Sequence, residues 1–264
     1  MTQIKDMVAF LESLAPLRLA ASWDNVGLLV GDLDAPVKKV MTCLTLTSDV
    51  LEEGISKKVD LIISHHPFPF RSLKRVVLSD PGGRLIQGLM KANIAVYSAH
   101  TAYDSASRGI NQQLAEKLKL ESVASLRTTD GSFSGEGEGR FGNLTPFRSL
   151  EDVAGAVREI LRVGFLQLVG DKDRKVARVG IACGSAGEFL DLALAKNCDL
   201  FITGELSFHR CLQAEEEGMA VILAGHFHSE KFALASLARD VKENFNDLEC
   251  WDSFVEKSPL RLFS

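Results

Sequence analysis

The 264-residue chain has no long apolar run. Its longest, such as Leu161 to Leu168, are interrupted by Arg162 and Gly164 and fall far short of the ~20 residues a bilayer crossing needs. Cysteine is sparse and oddly counted: Cys43, Cys183, Cys198, Cys211 and Cys250 make five, with no Cys-x-x-Cys pair. That argues against a disulfide framework and a thiolate zinc knuckle, and the expected compartment is the reducing cytoplasm. Positive charge is not in excess, with 30 Lys plus Arg against 35 Asp plus Glu and a net charge of −5. Such a chain is poorly suited to a sequence-independent grip on a polyanion, so no nucleic-acid partner and no membrane are expected. Neither a G-x-x-x-x-G-K-[ST] phosphate loop nor a G-x-S-x-G elbow occurs, which removes P-loop ATPases and serine hydrolases from consideration. Residues 1–20 carry acids among spaced apolar residues rather than a basic segment before an apolar core, and read as a first helix, not a signal peptide. What is present is 46% hydrophobic residues, enough for one large or two modest cores.

Apolar spacing predicts a helix over 4–15, ended by Pro16, and then strands at 26–30 and 40–46. A helix over 48–58, a buried strand at 61–63, a helix over 85–91 and a strand at 94–98 follow. The alternation of strand and helix predicts parallel sheet. Residues 128–149 are rich in Gly, Ser and Thr and read as loop, followed by a helix over 150–162. The chain also matches itself without a gap: Val40, Leu51, Lys57, Asp60, Leu61 and Ile63 recur as Val179, Leu190, Lys196, Asp199, Leu200 and Ile202. After a shorter connection, 95–104 aligns with 221–230, so each copy delivers His-x-x-x-carboxylate after a strand. The expected fold is α/β, with two related lobes from an internal duplication and a metal site in the cleft between them. The first lobe is 1–124, completed by 235–264, and the second is 125–234.

All six histidines, at 65, 66, 100, 209, 226 and 228, come shortly after a predicted strand, where the carboxyl ends of parallel strands form a functional crevice. Metal binding is the leading explanation. Adjacent residues point to opposite faces of a strand, so His65 and His66 reach one site only if Pro67 draws the chain out of it; otherwise one of them ligates and the other bonds the loop. Asp104, His226 and Glu230 complete the ligand set, the last two sharing a helix face at i and i+4 if a helix begins near His226. A capped or salt-bridged pair is the plainer alternative, and His228 is a competing ligand. Three imidazoles and two carboxylates without a thiolate suit zinc, manganese or iron with open positions. Five ligands suit two divalent ions roughly 3.5–4 Å apart, which would activate water for hydrolysis.

Glu205 and His209 occupy the second copy's counterparts of His66 and Phe70. Glu205 is a candidate general base or proton shuttle, or else a salt-bridge partner of a base such as Arg210. His100 either orients a ligand, donates to substrate or is structural. Arg71, Lys74 and Arg75 either anchor a phosphate or are merely solvated. The Gly184, Ser185, Ala186, Gly187 turn offers backbone N–H groups to an anion, a weak signal.

Five stretches, Ser22 to Asp32 (SWDNVGLLVGD), Ser64 to Pro67 (SHHP), Tyr97 to Asp104 (YSAHTAYD), Asp199 to Glu205 (DLFITGE) and Gly225 to Glu230 (GHFHSE), together resemble the Nif-three-like family, also labelled GTP cyclohydrolase I type 2. The resemblance implies that His65, His66, Asp104, His226 and Glu230 are dinuclear metal ligands, with His100 and Glu205 polar groups near the metals. It implies a cytosolic, ring-shaped homohexamer of two-lobed subunits that opens the guanine imidazole ring of GTP with release of formate. Other readings are a metal-dependent phosphoesterase or nucleotide hydrolase, with a nucleotide or small phosphorylated substrate, and a non-catalytic metal-binding oligomer with a regulatory or scaffold role. Two departures stand out. The family's C-G-G-S-G turn reads Cys183, Gly184, Ser185, Ala186, Gly187 here, and the middle section, 125–175, has no room for the extra small domain of some relatives.

Overall fold

The computed structural model describes residues 1–71, 73–128 and 131–261. The first elements are α1 (Ile4–Leu14), β1 (Gly27–Val30), β2 (Lys39–Cys43), α2 (Ser48–Lys57), β3 (Leu61–Ser64), α3 (Pro81–Ala92), β4 (Ala95–Ser98) and α4 (His100–Ser105). The middle of the chain forms α5 (Ile110–Lys117), β5 (Glu121–Ala124), β6 (Arg140–Ser149), α6 (Leu150–Leu161), β7 (Gln167–Val169), β8 (Lys175–Ala182) and α7 (Leu190–Ala195). It continues through β9 (Leu200–Thr203), α8 (Phe208–Glu216), β10 (Ala220–Leu223) and α9 (His226–Lys231) to α10 (Leu234–Asn244) and β11 (Glu249–Asp252).

Local chemistry sets these bounds. Thr47, Ser149 and Ser207 accept a backbone N–H at the starts of α2, α6 and α8, satisfying donors that a helix start leaves orphaned. Lys58, Asn93 and Arg162 close α2, α3 and α6 in the left-handed conformation, a common helix stop. The helices bury one stripe each, as in α1 with Ile4, Met7 and Leu11, whereas β3 and β9 are buried at every residue, as expected for central strands covered on both faces.

Two compact units result: Met1–Tyr103 with Ala233–Ser264, and Asp104–Phe232. The first holds a five-stranded sheet in the order β1-β4-β3-β2-β11. In it β1 is antiparallel to β4 and the other pairs are parallel. On one face Met41, Cys43, Ile62 and Val96 pack with Val50, Leu51, Leu85 and Leu89 of α2 and α3. The second unit holds a six-stranded sheet, β5-β6-β8-β9-β10-β7, parallel only through β8, β9 and β10. Its strands alternate, Leu200 and Ile202 packing with α5 and α6 and Phe201 with α7 and α8, as a pleated sheet with two covered faces requires.

The duplication extends to hydrogen bonds. Asp60 Oδ2 accepts the N–H groups of Lys38 and Lys39 at 2.8 and 2.9 Å, and Asp199 Oδ2 accepts those of Ala177 and Arg178 at 2.9 and 2.8 Å. Both copies run α-β-β-α-β-α-β-α, from α1 to α4 and from α6 to α9, each with its first strand antiparallel to its last. One detail of the sequence alignment is corrected by the register. Leu61 pairs with Ala95 and Leu200 with Ala220, so Ala95 corresponds to Ala220 rather than Val221. The second copy absorbs the extra residue at Gly225 (φ 80°), before α9 begins.

After its eight shared elements each copy adds a helix and a strand, and these tails are exchanged. The second copy's α10 and β11 belong to the first unit, where β11 pairs with β2. The first copy's α5 and β5 belong to the second unit, where β5 pairs with β6. Residues 104–124, expected in the first lobe, are therefore part of the second. The stretch 128–149, expected to be loop, contains strand β6 from Arg140 onward. Its polar residues and Pro146 hide the strand signal, and its pairing with β8 is irregular between Asn143 and Arg148.

Candidate metal centre

In the first unit the chain leaves β3 at Ser64 without leaving the sheet's hydrogen-bonding direction. His65 and His66 donate their backbone N–H groups to Cys43 and Leu44 at 2.9 and 2.8 Å. Their own carbonyls accept the hydroxyls of Ser98 (2.7 Å) and Ser64 (2.6 Å). With the backbone pinned at both ends, the two imidazoles stand side by side, ring centroids 5.2 Å apart. His100 opens α4 and brings its ring within 5.2 Å of His65 and 5.6 Å of His66. One ring nitrogen from each of the three lies within 4.8 Å of the others, close enough for them to share a metal ion. His65 is buried, and His66 and His100 are partly so. His100 has φ 26°, a conformation that costs a non-glycine residue on the order of 1–3 kcal/mol and is typical of functional positions.

Two of these rings, those of His66 and His100, are aimed by a partner on Nδ1. Thr45 Oγ1 lies 2.7 Å from His66 Nδ1. Asp24 Oδ1 and Oδ2 lie 2.8 and 2.9 Å from His100 Nδ1. Asp24 also accepts the backbone N–H and hydroxyl of Thr101 at 3.1 and 2.5 Å. Burial opposes its ionisation, but the bonds from His100 and Thr101 and the charge on His100 outweigh it and hold the carboxyl below its ordinary value. Thr45 is itself held, because Glu256 of the C-terminal segment accepts the N–H groups of Leu44 and Thr45 at 2.8 and 2.6 Å.

The second unit repeats the device with carboxylates. α9 places His226 and Glu230 one turn apart, with Nε2 to Oε2 at 3.2 Å, while Nδ1 of His226 is 3.0 Å from Glu205 Oε1. The hydrogen bond to Glu230 is the chief cause that lifts the His226 pKa to about 9; burial opposes it, and the Glu230 charge and Glu205 reinforce it. Glu230 is buried and lies against Gly184, where a Cβ would fall 2.1 Å from Oε1 and φ is +73°. Ser229 Oγ accepts the Gly184 N–H at 2.9 Å. Asn111 joins this turn to Asp104, accepting the Cys183 N–H at 2.8 Å and donating to the Asp104 carbonyl at 3.1 Å. Burial first, then the charges of Glu230 and Asp104, push the Cys183 thiol well up.

His65, His66 and His100 thus form one donor cluster, and Glu205, His226 and Glu230 are linked by hydrogen bonds in the second unit, where Asp104 is joined to the Cys183 turn through Asn111. His209 is exposed on α8 and His228 half-buried on α9. Arg210 pairs with Asp191 at 2.9 Å, and Glu205 with His226. Arg71, Lys74 and Arg75 are exposed. Asp24, Thr45, Asn111, Ser229 and Glu256 act through other residues, and sequence reasoning missed them. Two of them lay in stretches that carry the family resemblance, Asp24 in SWDN and Ser229 in GHFHSE. The donor chemistry fits divalent ions, since ligating imidazoles characteristically give their other nitrogen to a carboxylate or another local oxygen, as His66, His100 and His226 do here.

The model of the Duf34/NIF3 (NGG1p interacting factor 3) family matches residues 2–259. A Clostridium acetobutylicum protein named GTP cyclohydrolase 1 type 2 homolog is 35% identical over 86% of this chain and 85% of its own. A Schizosaccharomyces pombe protein named NIF3 homolog is 34% identical over 83% and 82%. The crystal structure of a Bacillus cereus protein related to NIF3 superposes with a TM-score of 0.90 at 22% identity, covering 99% of both chains, a likeness of fold. With two histidine-bearing α/β units built from one repeat, and a match running almost from end to end, this chain belongs to the Duf34/NIF3 family.

Proposed function

We propose that the protein is a divalent-metal-dependent hydrolase of a nucleotide or another small phosphorylated compound, working in the cytoplasm as a homo-oligomer. His65, His66, Asp104, His226 and Glu230 would hold two ions, of zinc, manganese or iron. The observation that carries this reading is the Nδ1 engagement of His66 by Thr45 and of His226 by Glu205, which leaves Nε2 as the ligating nitrogen of these two rings. When bound, such a pair of ions polarises a substrate oxygen and makes water a stronger nucleophile near neutral pH.

The chain's own groups supply the rest. Asp24 holds His100 by Nδ1 and stabilises its charged form, so His100 Nε2 can take a proton from the nucleophile and return it to the leaving group. Glu205, bonded to His226 and half-exposed, is the second candidate to move a proton. Arg71 and Lys74 would hold phosphate. In the narrower reading, which the names of relatives such as the C. acetobutylicum protein support, the substrate is GTP and the guanine ring is opened with release of formate. The three cations at Arg71, Lys74 and Arg75 equally favour phosphoester hydrolysis at the same metals.

The test is metal analysis of carefully purified protein, followed by assays of metal-reconstituted protein against GTP, other nucleotides and phosphoesters. His66→Ala and Glu230→Ala are run alongside. Two equivalents of metal and loss of activity in both variants are expected. Activity that survives both substitutions, or metal content that neither alters, overturns the proposal; full metal with no turnover on any substrate leaves only the non-catalytic binding role.

A further inference from the structure

Beside the histidine cluster of the first unit, two large aromatic rings face outward. Trp23 is 64% and Phe70 51% exposed, although rings of this size usually contribute to a core. They are clustered. Their centroids lie 6.1 Å apart, and each is about one ring from His100, at 5.9 and 6.0 Å. Their loops are fastened from below. Asp24, next to Trp23, is tied to His100 and Thr101, and the Ala21 N–H is bonded to Thr101 Oγ1 at 2.9 Å. Asn25 Nδ2 donates to the Pro69 carbonyl at 2.8 Å, joining the two loops. Phe68, two residues before Phe70, packs against the core formed by α2, α3 and the sheet. Exposed rings on loops fixed this firmly are a preformed apolar surface.

The charge beside that surface has one sign. Arg71, Lys74 and Arg75 follow Phe70, and no acid occurs from Phe68 to Leu78. A flat apolar platform flanked by cations is complementary to a planar ring that carries an anionic group. We infer that Trp23 and Phe70 stack the base of a nucleotide while Arg71, Lys74 and Arg75 take its phosphates, which puts the base beside His100. The inference deepens the hydrolase reading by assigning the residues that select its substrate. Stacking supplies affinity for any base, because every base has a π face. Discrimination among bases therefore arises elsewhere in the site.

The experiment uses full-length protein stripped of metal, so that it is independent of the metal centre. Binding of GTP, ATP and tripolyphosphate is measured by equilibrium dialysis for the wild type and for Trp23→Leu, Phe70→Leu and the conservative Trp23→Phe. Circular dichroism and sedimentation are recorded for each. GTP and ATP should bind with similar affinity and tripolyphosphate much more weakly. Each leucine variant should lose roughly fivefold to a hundredfold in nucleotide affinity, the range that one stacked base supplies, and Trp23→Phe should keep most of it. Wild-type tryptophan emission should fall on adding GTP and not on adding tripolyphosphate. Equal binding of tripolyphosphate and GTP, or unchanged affinity in folded leucine variants, overturns the inference. If those variants instead change the sedimenting species, the platform is a contact between copies of this chain. Because metal is absent throughout, loss of the stacking result and loss of the metal-hydrolase reading are scored separately.

Discussion

At the scale of single residues, the second unit's donors depend on one glycine. A methyl group at Gly184 would meet Glu230 Oε1 at 2.1 Å, and the backbone there has φ +73°. Gly184→Ala should therefore displace the Glu230 carboxylate and lower stability by about 1–3 kcal/mol, seen as weaker metal retention together with an earlier urea midpoint. His226 supplies a second prediction. Its pKa is raised from 6.5 to about 9, so in metal-free protein its pairing with Glu230 and Glu205 contributes stability that is full below about pH 6.5 and is lost as pH rises through about 9. Metal must displace that proton, so affinity should climb with pH up to about 9. NMR titration of the His226 ring in wild type and Glu230→Gln checks the assignment, and a pKa that does not fall in the variant contradicts it.

At the scale of elements, the candidate site is built where strands end, and the segments that hold it come from elsewhere in the chain. The carboxylate of Glu256 caps two backbone N–H groups beside His66's partner Thr45. Glu256→Ala should cost about 1–3 kcal/mol, as for a charged hydrogen-bond acceptor removed from partly buried donors, and should loosen His66 enough to weaken metal binding severalfold, read by calorimetric titration. Arg140, almost wholly buried, donates to the carbonyls of Gly135, Gly137, Gly139, Ser105 and Ala106 and to Gln112. Burial chiefly, opposed by Glu116, lowers its pKa to about 10, so it remains charged near neutrality. Two of its acceptors, Ser105 and Ala106, are the last residue of α4, the helix that carries Asp104, and the residue after it. Arg140→Met leaves several buried carbonyls without a donor and should destabilise the protein on the order of 3–5 kcal/mol, measured by denaturant unfolding. Elements with a strong period, such as α1, α6 and β3, were legible in the sequence because each buries one face or both. β6 was not, because its signal depends on partners far away in the chain.

For the whole molecule, the exchange of tails makes a definite prediction. Residues 1–124 contain the whole first copy yet lack β11, which lies beside β2, and hold β5 apart from its partner β6. That fragment expressed alone should show no cooperative unfolding by circular dichroism, whereas coexpression with residues 125–264 should restore it. Cooperative folding of the lone fragment would mean that the exchanged segments are dispensable.

What the sequence alone determined was what its local periods and its repeat could carry: the α/β class, two related units, most element positions and the return of the histidines and carboxylates after equivalent strands. Those features are legible because burial imposes spacings of 2 and 3.6 residues and because a copied segment keeps its pattern. The tertiary structure decided what depends on distant pairing. It assigned residues 104–124 to the second unit and shifted the repeat by one residue at Gly225. It also supplied the partners of the imidazoles, Thr45, Asp24 and Glu205. Hydrogen bonds are short and directional, so which oxygen faces which ring nitrogen is settled only once the strand ends are set in register.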